Sequence, residues 1–224
     1  MQPPFIAPHA WTLSVTEARA IQERLRSQII LQDQFDEPRW VAGIDVGFEA
    51  NNTVTRAAVA VLSFPALQLV EAQISRLPTA FPYIPGYLSF REAPAVLAAM
   101  NQLQHIPDLL LCDGQGIAHP RRFGIACHLG LITGIAAIGV AKSRLCGQHG
   151  EIPRRKGQWT PLREGDDTIG AVLRSREGVK PLYVSPGHKI CCSTAVKYTM
   201  ACITRVRLPE TTRWAHKLAS GAMQ

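Results

Sequence analysis

Apolar and polar positions change period several times along this chain, and each change marks an element. Over "SVTEARAIQERLRSQIIL", Ala18, Ile21, Leu25 and Ile29 recur at three- and four-residue spacing behind Ser14 and Glu17. That pair has the spacing at which each side chain caps the other's backbone N–H. The pattern predicts an amphipathic helix over 14–34 packed on the core, with 1–12 irregular. The segments "WVAGIDVGFEA", "TRAAVAVLSFP" and "LQLVEAQISRL" are β-rich and are joined through Asn51-Asn52 and Pro65-Ala66. Links this short predict antiparallel neighbours. A helical stretch from Ser89 to Leu103 follows, then the apolar run "DLLLCDG", a helix from Phe123 to Ile132 and the run "AAIGVAK". Strands that alternate with helices predict parallel crossovers. "SPGHKICC" at 185–192 reads as a loop entering a helix that holds Ala195, Val196 and Met200.

Three antiparallel strands followed by two parallel ones give an α/β fold, a mixed sheet flanked by helices, with the first strand in the middle beside the fourth. This is the ribonuclease H-like topology. The 224 residues, 46% of them hydrophobic, suffice for a continuous core and show neither repeats nor a linker, so one domain over 1–224 is expected. A net charge of +7 favours a polyanion as partner. Six cysteines without a C-x-x-C pair point to a reducing cytoplasm. Cys146 with His149, and His188 with Cys191 and Cys192, lack zinc spacing. The opening "MQPPFIAPHAW" has no basic start and no apolar core that would direct export. The longest apolar stretch, 129–141, is interrupted by glycines and falls short of the roughly 20 residues a membrane span needs. No membrane association is expected, and the chain reads as a monomer.

The predicted topology bears on two acids. Asp45 lies inside the first strand and Asp113 ends the fourth, so adjacent parallel strands would bring them together. Carboxylates that close repel and lose hydration, and they persist when a proton or a hard divalent cation neutralises them. Glu92, at the end of the stiff stretch "PYIPGYLSFRE", could complete a set of three. It has a rival role: Ser89 to Glu92 has capping-box spacing, and spacing alone leaves the two readings level. Taken singly, Lys142 reads better as a snorkelling surface residue and His216 as a structural or solvated one; beside a carboxylate pair, a phosphate contact becomes the better reading of Lys142.

Five segments resemble endonuclease V: "GIDVGF" at 43–48, "PYIPGYLSFRE" at 82–92, "DGQGIAHPRRFGIACHLG" at 113–130, "IGVAKSRLCG" at 138–147 and "LPETTRWAH" at 208–216. They occur in order across most of the chain. The resemblance implies an endonuclease that nicks DNA one nucleotide beyond deaminated adenine (hypoxanthine) on its 3′ side, leaving a 3′-hydroxyl and a 5′-phosphate and so initiating repair. Because some members act on inosine in RNA, an RNA substrate is an alternative, as are branched DNA and a non-catalytic nucleic-acid binder. The resemblance also implies that Asp45, Glu92 and Asp113 hold Mg2+, with Mn2+ as substitute, and that Lys142 and His216 lie near the scissile phosphate.

Substrate contacts are expected from the loop of Pro82, Tyr83, Ile84, Pro85, Gly86 and Leu88. Gly114, Gln115, His119, Arg121, Arg122, Gly124, Ile125 and Gly139 complete that set. Two prolines stiffen the first loop into the shape of a wedge, and glycines let backbone groups approach an extruded base. Arg154, Arg155 and Lys156 form a second basic cluster that fits either phosphate or plain solvent.

Overall fold

The computed structural model describes residues 4–221. An eight-stranded mixed sheet forms its centre. β1 (Trp40–Glu49), β2 (Val54–Ser63) and β3 (Leu69–Pro78) make an antiparallel meander. β1 also pairs in parallel with β4 (Leu109–Cys112), and β4 in parallel with β5 (Ala136–Ala141), each through a helical crossover. The crossovers are α2 (Leu88–Met100) and α3 (Ile125–Thr133). The chain then returns as the antiparallel strands β6 (Trp159–Glu164), β7 (Asp167–Leu173) and β8 (Leu182–His188), with β8 against β5. Two helices end the fold, α4 (Cys192–Ala201) and α5 (Glu210–Ala219).

The sheet separates two apolar layers, and β1 and β4 contribute alternate residues to each, as a pleated strand must. Ala42, Ile44, Leu110 and Cys112 pack with α2 and α3, whereas Val41, Leu109 and Leu111 pack toward Ala195, Val196 and Ala215 of α4 and α5. The first helix, α1 (Val15–Leu25), lies outside α2 and α3, burying Ala18, Ile21 and Leu25 against Phe81, Phe90 and Phe123.

The meander, the parallel pairs and the central place of β1 match the sequence reading. Three points differ. The first helix has the expected capping box at Ser14 and Glu17 but stops at Leu25, and after a 3-10 turn at Arg26–Gln28 the chain is extended at Ile29. Two successive β-branched residues, Ile29 and Ile30, favour that change. Strands β6 to β8 carry no clear period. Pro161 sits in the edge strand β6, and Pro186 sits in β8 opposite Ile138, where the register with β5 shifts and a missing N–H is tolerated. Residues 185–188, expected to be loop, are therefore strand.

Candidate active site

Asp45 and Asp113 project from neighbouring strands on the same face. The parallel register pairs Ile44 with Cys112, and the Asp113 N–H donates to the Ile44 carbonyl at 3.0 Å, so the two acids follow that pair side by side. Their side chains are 12% and 16% exposed. Glu92, 8% exposed, enters from the first turns of α2. Its carboxyl is pushed well above the usual range, first by burial and then by the charges of Asp45 and Asp113. Asp45 is raised as well, by burial and by Asp113. The three carboxylates therefore feel one another in a poorly hydrated recess.

The capping reading of Glu92 is excluded by its neighbour. α2 begins at Leu88 with Tyr87 as its N-cap and no side-chain cap, and the Ser89 hydroxyl is turned inward to His128 Nδ1, 3.0 Å away. Among the described residues no hydrogen bond reaches the Glu92 carboxylate. Two side chains meet the aspartates: the Lys142 ammonium, at the end of β5, donates through Nζ to Asp113 Oδ2, and His216 Nδ1 lies 2.7 Å from Asp45 Oδ2.

His216 reaches Asp45 because α5 lies almost on the backbone of β1. Gly43, Asp45 and Gly47 share one face of the strand, and a Cβ at Gly43 would fall 1.9 Å from the Thr211 carbonyl oxygen. At Gly47 it would fall 2.6 Å from that of Ala219. The two glycines flanking Asp45 thus seat the helix that carries His216. Sequence reasoning missed this role, although G-x-D-x-G on one strand face was its visible signal.

Beside the acids opens a cavity of about 350 Å³, and Asp113 and Lys142 belong to its wall. Tyr83, Ile84, Pro85, Gly86 and Leu88 line one side, and Gly114, Gln115, His119, Gly124 and Ile125 another. Tyr83 is 72% exposed at the mouth. Gln22, Ser89, Phe123 and the 143–145 segment also line it and were not anticipated. Gln115 Nε2 donates to the Ser143 carbonyl at 3.1 Å, tying the turn after β4 to the segment after β5.

Four expected substrate residues have other positions. Pro82 does not line the cavity, and Gly139 is where β5 touches the 114–116 turn, its would-be Cβ 2.3 Å from the Gly116 nitrogen. Arg121 donates to Gln22 Oε1 at 2.5 Å and to the Gly86 carbonyl at 2.6 Å, with its guanidinium over the Tyr87 ring. Arg122 pairs with Glu164 at 2.5 Å. His119 also holds the loop. Its Nδ1 accepts from the Arg121 N–H at 3.1 Å, so its Nε2 carries the proton and donates to Gly86 O at 2.9 Å. Burial and Arg121 depress its pKa to about 4, which keeps it neutral in that role. Together with Gln22 Nε2, 3.0 Å away, three donors converge on the Gly86 carbonyl and fix the loop where its backbone is left-handed, at φ +83°.

The sequence model of the endonuclease V family matches residues 23–217. The chain belongs to this family. An endonuclease V of Trichormus variabilis is 61% identical over 214 residues, spanning 95% of this chain and 97% of its own. The crystal structure of endonuclease V from Streptomyces avermitilis, 40% identical, superposes with a TM-score of 0.90 over 98% of this chain and 97% of that one. A Ciona intestinalis endonuclease V, 28% identical, superposes with a TM-score of 0.82 over 93% of this chain and 97% of its own. That protein is in complex with a 24mer DNA containing an inosine followed by a ribo-adenosine.

Two aspartates and a glutamate are hard oxygen donors of the kind magnesium or manganese takes. Glu92, buried, repelled by both aspartates and with no hydrogen bond to its carboxylate among the described residues, fits that role. As they stand, no three His, Cys, Asp or Glu side chains among the described residues are drawn together closely enough to hold an ion. Lys142 and His216 instead each engage one oxygen, Asp113 Oδ2 and Asp45 Oδ2.

Proposed function

We propose that this chain is a metal-dependent endonuclease that recognises hypoxanthine in DNA. It hydrolyses the second phosphodiester bond 3′ to the lesion, leaves a 3′-hydroxyl and a 5′-phosphate, and so initiates repair. The observation that carries the reading is that Asp113 and Lys142 belong both to the acidic recess and to the wall of a cavity of about 350 Å³. Base recognition and bond cleavage then share one rigid boundary.

Asp45, Asp113 and Glu92 would hold Mg2+, or Mn2+ in its place, which when bound would supply charge neutralisation at the phosphate and a Lewis acid for the attacking water. Lys142, released from Asp113, presents an ammonium to a phosphate oxygen. His216 donates through Nδ1 to Asp45, which leaves its Nε2 for proton exchange at the scissile group. Hypoxanthine differs from adenine on its pairing edge, so it is read only after leaving the stack. The braced 83–88 loop and the 113–115 turn form the receiving walls. Tyr83, stiffened between prolines and exposed, is placed to fill the gap left behind.

Matched DNA and RNA oligonucleotides, each with one inosine or with adenosine in its place, test this in magnesium. Cleavage one nucleotide beyond inosine in DNA is expected, with adenosine controls intact. Cleavage confined to the RNA would instead support the alternative of an inosine-specific ribonuclease.

A further inference from the structure

The positive charge of this protein is confined to one stretch of sequence. Residues 142–207 contain 13 of the 24 Lys and Arg but only five of the 17 Asp and Glu, a net of +8, while the remainder carries −1. This stretch includes β6, β7 and β8, the strands that extend the sheet beyond β5 and away from β1. Elsewhere several arginines find carboxylates: Arg19 with Glu23, Arg56 and Arg76 with Glu49, Arg213 with Glu210. Arg154, Arg155, Lys156, Arg176, Lys180 and Arg205 are all exposed, and among the described residues none forms an ion pair.

These cations stand on ordered backbone. The 154–158 turn is clasped to the end of β7 by the Gly157 N–H to the Arg174 carbonyl, 2.8 Å, and the Arg174 N–H to the Gln158 carbonyl, 2.9 Å. Arg174 itself donates through Nε to Pro153 O at 2.8 Å and through Nη1 to Val179 O. With Arg154, Arg155, Glu177 and Gly178 it lines an open cleft of about 490 Å³. The series also connects to the cut site. Arg207 Nη2 donates to the carbonyls of Lys142, 2.9 Å, and Pro181, 2.7 Å, and Arg176 Nη1 donates to the Arg205 carbonyl at 2.7 Å.

We propose that the β6–β8 wing is a second DNA-binding surface, a track for the phosphates of duplex on one flank of the cut, anchored by Arg154, Arg155 and Lys156. Like charges that outnumber the acids beside them repel one another, and a polyanion removes that repulsion. Three strand spacings separate β5 from β6, about 14 Å, which is the rise of about four base pairs. The track therefore engages duplex that neither the base cavity nor the acidic recess can reach. It reads charge and not sequence, since its donors are exposed cations along an open cleft that does not enclose a base.

The identity of the polyanion rests on the function proposed above, and the test separates the two. The triple variant Arg154→Ala, Arg155→Ala, Lys156→Ala would be compared with the unaltered protein for affinity to duplexes of about 30 base pairs over a range of salt, with each flank shortened in turn. Two duplexes serve, one lesion-free and one with inosine held in calcium. The log–log salt slope should flatten by about two to three units, at about 0.9 per phosphate contact, on both duplexes. Shortening one flank to fewer than about four base pairs should weaken the unaltered protein but leave the variant unaffected. A slope unchanged on both duplexes, or equal sensitivity of the two proteins to flank length, would overturn the track. The lesion-free arm reports on the track even if inosine is not cut.

Discussion

His216 Nδ1 lies 2.7 Å from Asp45 Oδ2, joining the last helix to the first strand across 171 residues. The imidazole is 58% exposed and the carboxylate 12%, so the ring lies on the solvent side of an acid that burial, and then Asp113, already push upward. His216→Ala removes this donor from Asp45 and should lower single-turnover cleavage of inosine DNA by roughly 10²-fold, the lower end of what a positioned proton-transfer group contributes. His216→Asn, whose amide can still donate to Asp45, should recover part of the loss. Equal rates for His216→Ala and the unaltered protein would remove His216 from the site.

Asp113 tests the acidic set from the other side. Asp113→Asn keeps the shape but deletes one charge, so cleavage should fall by orders of magnitude while lesion binding survives. Calcium in place of magnesium should likewise support binding without turnover, and a chelator should abolish cutting. Near-normal cleavage under any of these conditions contradicts a metal site at Asp45, Asp113 and Glu92.

Much of this arrangement can be read from the sequence, and the rest fails for identifiable reasons. The β1–β4 adjacency follows from short links and one helical crossover, and with it the pairing of Asp45 and Asp113. Glu92 stays ambiguous because its competitor, a local cap, has the same spacing; only the turn of Ser89 toward His128 decides it. Arg121 and His119 look like phosphate ligands in "HPRR", but their partner is the carbonyl of Gly86, 33 or more residues earlier, and no local pattern encodes such a contact. Strands β6 to β8 are hidden by Pro161 and Pro186, which local propensity reads as breaks and the sheet accommodates at an edge and at a register shift.

Tyr83 separates insertion into DNA from packing. At 72% exposure it contributes little to its own fold, so Tyr83→Ala should leave the melting temperature almost unchanged. Binding to duplex inosine sites should weaken by about 1–3 kcal/mol, the usual worth of one base–aromatic stack. On single strands, where no stack has to open, the loss should be smaller. Equal losses on both substrates would return the loop to a simple binding surface.

The histidines behind the cavity contribute to the loss of stability in acid. His9 Nδ1 donates to the Ala10 carbonyl at 2.7 Å, so its Nε2 accepts from His128 Nε2, 2.8 Å away, and His128 Nδ1 in turn accepts from the Ser89 hydroxyl. This polarity requires both rings to be neutral: a proton on His9 Nε2 would set two N–H groups against each other. Burial, and secondarily His9, depress the His128 pKa to about 3, and burial with the charge of Arg24 lowers His9 as well. Trp11, Phe90 and Phe123 pack around the pair and offer no counter-charge. A histidine whose folded pKa lies below its unfolded value of about 6.5 leaves the unfolded chain binding more protons between the two. Its contribution is therefore fully present above pH 6.5 and is lost as pH falls toward about 3. At pH 5 one such residue should have cost about 2 kcal/mol relative to neutral pH. The raised carboxyls of Asp45 and Glu92 act in the opposite sense, so the comparison must isolate His128. Denaturant unfolding of the unaltered protein and of His128→Gln, each referred to its own stability at pH 7.5, does so. The loss down to pH 5 should be smaller in the variant by about that amount. Parallel pH profiles would show that His128 is protonated equally in both states, which the hydrogen-bonded series from Ala10 to Ser89 does not permit.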